Sequence, residues 1–208
     1  MPRPRFLKLD EARREQVLET AGEEFAAHGY DQASLNRIIE RLGLSKGQFY
    51  YYFDDKIDLF QAVMDWAWTL GVPEEIGDFS HLQADTFWPT LERLSERSRA
   101  LLRERPWYVG VWRPLYHPPA DERAQRIAQE KIEQINAIRR TFMRHGQKIG
   151  CIRSDMPEDL LLAAIFGLRG ALDRWFVDHW DELSAEQKDT LPRLMLDMFR
   201  RMFEPPAD

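Results

Sequence analysis

Cysteine is nearly missing from this chain: Cys151 is the only one in 208 residues. One thiol excludes an intramolecular disulfide framework and any CxxC metal or redox pair, so the fold has to stand on packing. Cys151 itself reads as a small apolar residue or, as the alternative, a thiol sensor. Long apolar runs are missing too. None approaches the roughly 18 to 20 residues that span a bilayer, so no integral membrane protein and no membrane partner are expected. No apolar stretch follows the charged first residues, which leaves a cytoplasmic address as the default expectation.

Positive charge is in deficit, with 29 Lys and Arg against 35 Asp and Glu and a formal net charge of −6. That excludes a surface coated in cations for indiscriminate nucleic-acid binding, and any contact with a polyanion must be local and geometric. The histidines are few and dispersed, at 28, 81, 117, 145 and 179. There is no phosphate-binding glycine loop, no HExxH and no GxSxG. Neither an enzyme nor a cofactor or metal is therefore expected. Strand-like alternation is absent beyond Ser80, and the expected fold class is all-α.

What the chain does have is helical periodicity. Arg3, Arg5 and Lys8, with two prolines and no acid, read as a flexible basic arm, solvated or touching a polyanion. Val17, Leu18, Ala21 and Phe25 then recur at helical spacing between Asp10 and His28, and Gly29 closes that helix. Ser34 stands as an N-cap before Leu35, Ile38, Ile39 and Leu42, with Gly43 behind as the stop. In Ser45-Lys46-Gly47-Gln48 the Ser45 side chain can cap the Gln48 amide while Gln48 reaches back, a capping box. Phe49, Tyr52 and Phe53 supply the inward side of that helix. Asp54 and Asp55 cap another, from Lys56 to Thr69, lined by Ile57, Phe60, Val63, Met64 and Ala67. Gly71, Pro73 and Gly77 mark a loop up to Ser80. Further helices are predicted near 82–104, 107–116, 121–147, 157–180 and 186–203, with Pro192 in the first turn of the last.

Two short helices joined by Gly43-Leu44-Ser45, each with an apolar stripe, bury those stripes by packing steeply against the preceding helix, which makes a helix-turn-helix. In such a unit the second helix enters the major groove of double-stranded DNA and its N-terminal residues meet base edges and phosphates. Those residues are Ser45, Lys46, Gly47, Gln48, Tyr50 and Tyr51. Gly47 lets the backbone approach closely, Lys46 offers a cation to a phosphate or guanine, and Gln48 can pair with adenine or a phosphate. Tyr50 and Tyr51 either donate to phosphates or fill a core edge.

The stretch SLNRIIERLGLSKGQFYYYFDDK, Ser34 to Lys56, resembles the DNA-binding signature of the tetracycline-repressor (TetR) family of bacterial transcription regulators, and the resemblance extends from Val17 to Val63. It implies that Ser34 contacts phosphate, that Lys46 and Gly47 sit on base edges, and that Tyr50, Tyr51 and Lys56 clamp the backbone. A cation in a first helical turn opposes the helix dipole unless a partner compensates. For Lys56 a phosphate, Asp54 or Asp55 could do so. Leu35-Asn36-Arg37 and Gln48 depart from the commoner family pattern, so no operator sequence is carried over.

The division expected is residues 1–56 as a helix-turn-helix DNA-binding domain and 57–208 as a helical ligand-binding and dimerisation domain. Phe87, Trp88, Trp107, Tyr108, Trp112, Tyr116 and His117 concentrate aromatic surface of the sort that lines a pocket for a flat or apolar effector, or simply fills a core. Phe166 and Arg169 join that candidate set, and Arg113 and Arg174 are further candidate polar groups. Ala164, Gly167, Ala171 and Trp175 share a face of the helix near 157–180, and Leu194, Met195, Met198 and Met202 a face of the last helix. They form either intramolecular core or a four-helix interface between two copies, as the resemblance also implies. Two copies could then read a palindromic operator. An adaptor whose first unit binds protein rather than DNA is the alternative.

Overall fold

The computed structural model describes residues 2–73, 76 and 78–206; Gly77 of the predicted loop and the last two residues of the tail lie outside them. The described elements are all helical: α1 Pro4–Leu7, α2 Glu11–Gln32, α3 Leu35–Arg41, α4 Lys46–Tyr52, α5 Lys56–Gly71, α6 Ala84–Glu104, α7 Tyr108–Val111, α8 Glu122–Lys148, α9 Glu158–His179 and α10 Ala185–Phe203. They fall into two packing units, Met1–Val72 with Arg105–Lys131, and Pro73–Glu104 with Ile132–Asp208. The first unit thus extends past residue 56 and takes in α5 and α7.

Local chemistry sets the helix ends. Asp10, Ser34, Ser45, Asp55 and Ser184 each accept a backbone N–H of the first turn they precede, which satisfies a donor that the helix itself leaves open. Gly43 has φ 62°, a left-handed value suited to glycine, and makes the tight turn between α3 and α4.

In the first unit α2 is the central element and packs on α3, α5 and α7. Val17, Ala21, Phe25, Ile38, Phe49, Phe53, Phe60, Val63 and Met64 are buried in this unit, and the Phe25 ring meets that of Phe60 edge-on at 5.2 Å. The Trp107 ring lies against α2 at Gly22, where a Cβ would stand 2.8 Å from it, and it also stacks on Trp66 at 5.6 Å between centroids. In the second unit α10 packs on α6, and Phe79, Phe87, Phe142, Met143, Ile152, Leu161, Ile165, Phe199 and Phe203 form the core.

Three expectations need correction. The basic arm is ordered: Phe6 is buried and its ring packs against Phe53 at 4.7 Å and Tyr52 at 6.2 Å, and this burial acts together with the bond from Arg3 N–H to the Tyr52 carbonyl to offset part of the cost of ordering the arm. The predicted helix 107–116 breaks into α7 and a 3-10 turn, Arg113–Leu115, since Pro114 disfavours the α conformation at the residue before it. Pro192 lies within α10 rather than in its first turn. The start is set instead by a capping box between Ser184 and Gln187.

Candidate nucleic-acid interface

The site is built on α4, whose first turn is closed by the capping box: Gln48 N–H donates to Ser45 Oγ at 3.2 Å and Ser45 N–H to Gln48 Oε1 at 2.8 Å. Phe49 and Phe53 are buried beneath it. On the opposite face Ser45, Lys46, Gly47 and Gln48 are exposed, as are Tyr50 and Tyr51, at 49% and 47%. The outward tyrosines therefore do not fill a core edge. A Cβ at Gly47 would meet nothing nearer than Ser45 Oγ at 3.9 Å, so internal packing does not require glycine there. Because Gln48 Oε1 accepts from Ser45, the side-chain amide offers its Nε2–H donors outward more readily than the paired donor and acceptor that adenine takes.

Two groups that periodicity gave no sign of hold α3 and α4 in place. Glu24 on α2 is buried yet charged; it accepts from the Ser34 N–H at 2.8 Å and from Arg37 Nε and Nη2 at 2.9 and 2.6 Å. Burial pushes its carboxyl up, but the bonds from Arg37 and Ser34 outweigh that and hold it below the usual carboxylate range. Arg13 donates to the carbonyl of Leu42 at 3.2 Å, near the end of α3. Ser34 Oγ accepts from Arg37 N–H at 3.4 Å, and its hydroxyl proton is not committed by that bond.

Lys56 is turned away from both of its expected acid partners. Its ammonium donates to the carbonyls of Tyr30, Asp31 and Ala33 at 2.7, 3.2 and 3.4 Å and lies 4.5 Å from the Tyr30 ring centroid. The α2 C-terminus thus supplies the negative partner that a cation at the start of α5 needs. The same corner is linked to the start of α8 and the residues just before it: Tyr30 donates to Asp121 at 3.0 Å, the Ala120 N–H to Asp31 at 3.0 Å and Arg123 to Asp55 at 2.9 Å.

The structure does not gather the aromatic set into one packing unit. Phe87, Trp88, Phe166 and Arg169 belong to the second, and Trp107, Tyr108, Trp112, Tyr116 and His117 to the first. Phe87 stacks on Phe142 at 4.4 Å and is fully buried; Trp88 is also buried, and Phe166 packs against the same core. Tyr108 is buried with its ring 5.7 Å from that of Trp112. Arg169 pairs with Asp173 at 2.9 Å, and Arg174 lies 3.7 Å from Asp178. A cleft of about 310 Å³ in the second unit, between α6 and α10, is lined by Trp88 among charged side chains. Cys151 is buried, and burial raises its thiol, which disfavours the thiolate that a sensor needs.

On α9, Ala164, Gly167 and Ala171 are exposed, with Leu160 and Trp175 at 56% and 44%. On α10, Leu194, Met198 and Met202 are 56%, 38% and 45% exposed, whereas Met195 is buried within the chain. Met195 therefore leaves the interface set: one position along the helix from Leu194, it faces inward.

Residues 17–63 match the family model described as bacterial regulatory proteins, tetR family. The HTH-type transcriptional repressor BepR of Brucella suis is 35% identical over 177 residues, covering 78% of this chain and 79% of BepR. The HTH-type transcriptional repressor AcnR of Corynebacterium diphtheriae is 43% identical over 51 residues, 24% of this chain and 27% of AcnR. Among solved structures, the transcriptional regulator FadR of Bacillus subtilis in complex with stearoyl-CoA superposes with a TM-score of 0.68 at 19% identity, over 88% of this chain and 96% of FadR. With α2 to α5 built as a helix-turn-helix and a relative of this identity matched along most of both chains, the chain belongs to the tetR family of bacterial regulatory proteins.

Proposed function

We propose that this chain is a repressor that binds a palindromic operator as a homodimer and is released when a small, largely apolar or aromatic molecule binds within residues 57–208. Residues 1–56 carry the DNA contact. One observation carries the reading: α4 has its core side locked by Phe49 and Phe53 and its outer side left to Lys46, Gln48, Tyr50 and Tyr51. Lys46 pairs with a phosphate or a guanine edge, Gly47 admits close approach, and Gln48 donates through Nε2. Ser34, Ser45, Tyr50 and Tyr51 donate hydroxyl protons to phosphates. Lys56 acts from behind, holding the end of α2 against the start of α5.

A second copy covers the exposed α9 and α10 stripe of Ala164, Gly167, Ala171, Trp175, Leu194, Met198 and Met202, and the twofold axis so formed matches a palindrome. The repressor names of BepR and AcnR support the direction of control, and the stearoyl-CoA held by a protein of the same fold is consistent with an apolar effector. The half-buried Trp112 and Tyr116 of the first unit are the aromatic residues offered to it. The protein acts where the chromosome is, in the cytoplasm.

The test is selection of purified protein against random duplex DNA at about 0.1 M salt, where nonspecific phosphate attraction is reduced. Recovery of a palindrome supports the reading. Recovery of no sequence preference, or of a lone half-site, overturns it.

A further inference from the structure

Arg5 and Lys8, in and just after α1, are exposed next to α4. Phe6 pins α1 against Phe53 and Tyr52, and the Arg3 N–H donates to the carbonyl of Tyr52 at 2.9 Å. The Arg3 side chain is neutralised by an ion pair with Asp54. Arg5 is different: it is exposed, and its guanidinium lies 4.2 Å from the centroid of the Tyr51 ring, itself open to solvent on the outer side of α4. Lys8 is exposed as well and stands one helical turn on from Arg5, which puts it on the same side of the segment.

We propose that α1 extends the DNA contact, with Arg5 and Lys8 bound to backbone phosphates beside the stretch of groove that α4 occupies. This rests on the assignment of α4 as the DNA-reading helix. A guanidinium stacked on a tyrosine keeps its N–H fork free at the edges, and that fork matches two phosphate oxygens. Tyr51 orients Arg5 before DNA arrives, so less side-chain freedom is lost on binding. Arg3 has no part in the contact because Asp54 already holds it. The interaction is with phosphate, so it adds affinity and fixes the register of the dimer on its site without choosing bases.

The test uses the full chain and the operator recovered by selection, with affinity measured across a salt series. Each phosphate neutralised contributes about 0.9 to the slope of log K against log salt. Arg5→Ala, acting in both subunits, should therefore lower the slope by about 1.8. Arg5→Ala with Lys8→Ala should lower it further, and Arg5→Lys should keep most of it. Arg97→Ala, which removes an exposed charge on α6, controls for net charge and should leave the slope unchanged. Arg5→Ala with an unaltered slope overturns the proposal, and so does an affinity loss equal at every salt concentration, which would mean only that Tyr51 had lost its support. If the unsubstituted protein selects no operator, the assignment of α4 fails and this proposal falls with it. If it selects one that the variants bind with unaltered slope, the proposal alone fails.

Discussion

One carboxylate oxygen of Glu24 receives both Nε and Nη2 of Arg37, at 2.9 and 2.6 Å. It also takes the backbone N–H of Ser34, the residue that opens α3. A buried acid on α2 thus fixes where the first short helix begins. Its carboxyl is held below the usual range, so its contribution is present above the pKa of the unfolded chain and is lost as the pH falls through the folded value. Glu24→Gln should destabilise the protein at pH 7 by about 1 to 3 kcal/mol, toward the low end because Arg37 is half exposed to screening. The difference from the parent should shrink in acid. Thermal melts at pH 7 and pH 4 check this, and a melt unchanged at pH 7 contradicts it.

The outward residues of α4 can be removed without touching the core beneath. Lys46→Ala should weaken binding to the selected operator by about 1 to 3 kcal/mol if it reads a guanine edge, and Tyr50→Phe by about 1 kcal/mol through the lost hydroxyl. Circular dichroism should be unchanged for both. Undiminished affinity in both variants would mean that α4 is not the reading helix.

Replacing a mid-helix glycine by alanine ordinarily stabilises a helix, by up to about 1 kcal/mol. At Gly22 the sign should reverse. The Cβ would stand 2.8 Å from the Trp107 ring, and that ring is itself engaged in stacking on Trp66. Overpacking of this kind costs about 1 to 3 kcal/mol. Chemical denaturation of Gly22→Ala gives the sign directly, and a gain in stability would show that the indole can shift.

Leu194→Arg or Met198→Arg should convert a dimer to monomer at micromolar concentration, because each puts a charge on an exposed apolar stripe that the proposed interface buries. Both side chains are already open in the protomer, so its unfolding transition should hardly move. Sedimentation equilibrium separates the outcomes, and dimers of undiminished affinity would place the interface elsewhere.

What the sequence disclosed and what it withheld follow from range. The Ser45–Gln48 box, the Gly43 turn and the inward setting of Phe49 and Phe53 depend on neighbours within a few residues, and spacing shows them. Phe6 on Phe53, Trp107 on Gly22 and Glu24 beneath Arg37 join positions far apart or on different helices, and nothing in local periodicity marks them. Glu24 sits among other acids on a helix that reads as solvated. Its one distinguishing sign would have been that it lies near the apolar positions Ala21 and Phe25. Met195 shows the limit within a single helix, since a stripe of Leu and Met does not say which of its members faces the chain's own core. The aromatic set was legible as packing material, but composition could not assign its members to one packing unit or the other.

The Lys56 ammonium spans three carbonyls at the joint between α2 and α3. Those are the acceptors that a helix end leaves unsatisfied, and here a single side chain from α5 ties them together. The joint therefore has little internal play, and the beginning of α5 is fastened to the same point. In the proposed dimer an effector would gain little by working against these bonds and would act by altering how far apart the two joints are held. Sensitivity to the effector would then be set by geometry between subunits, while affinity for each half-site would stay nearly constant.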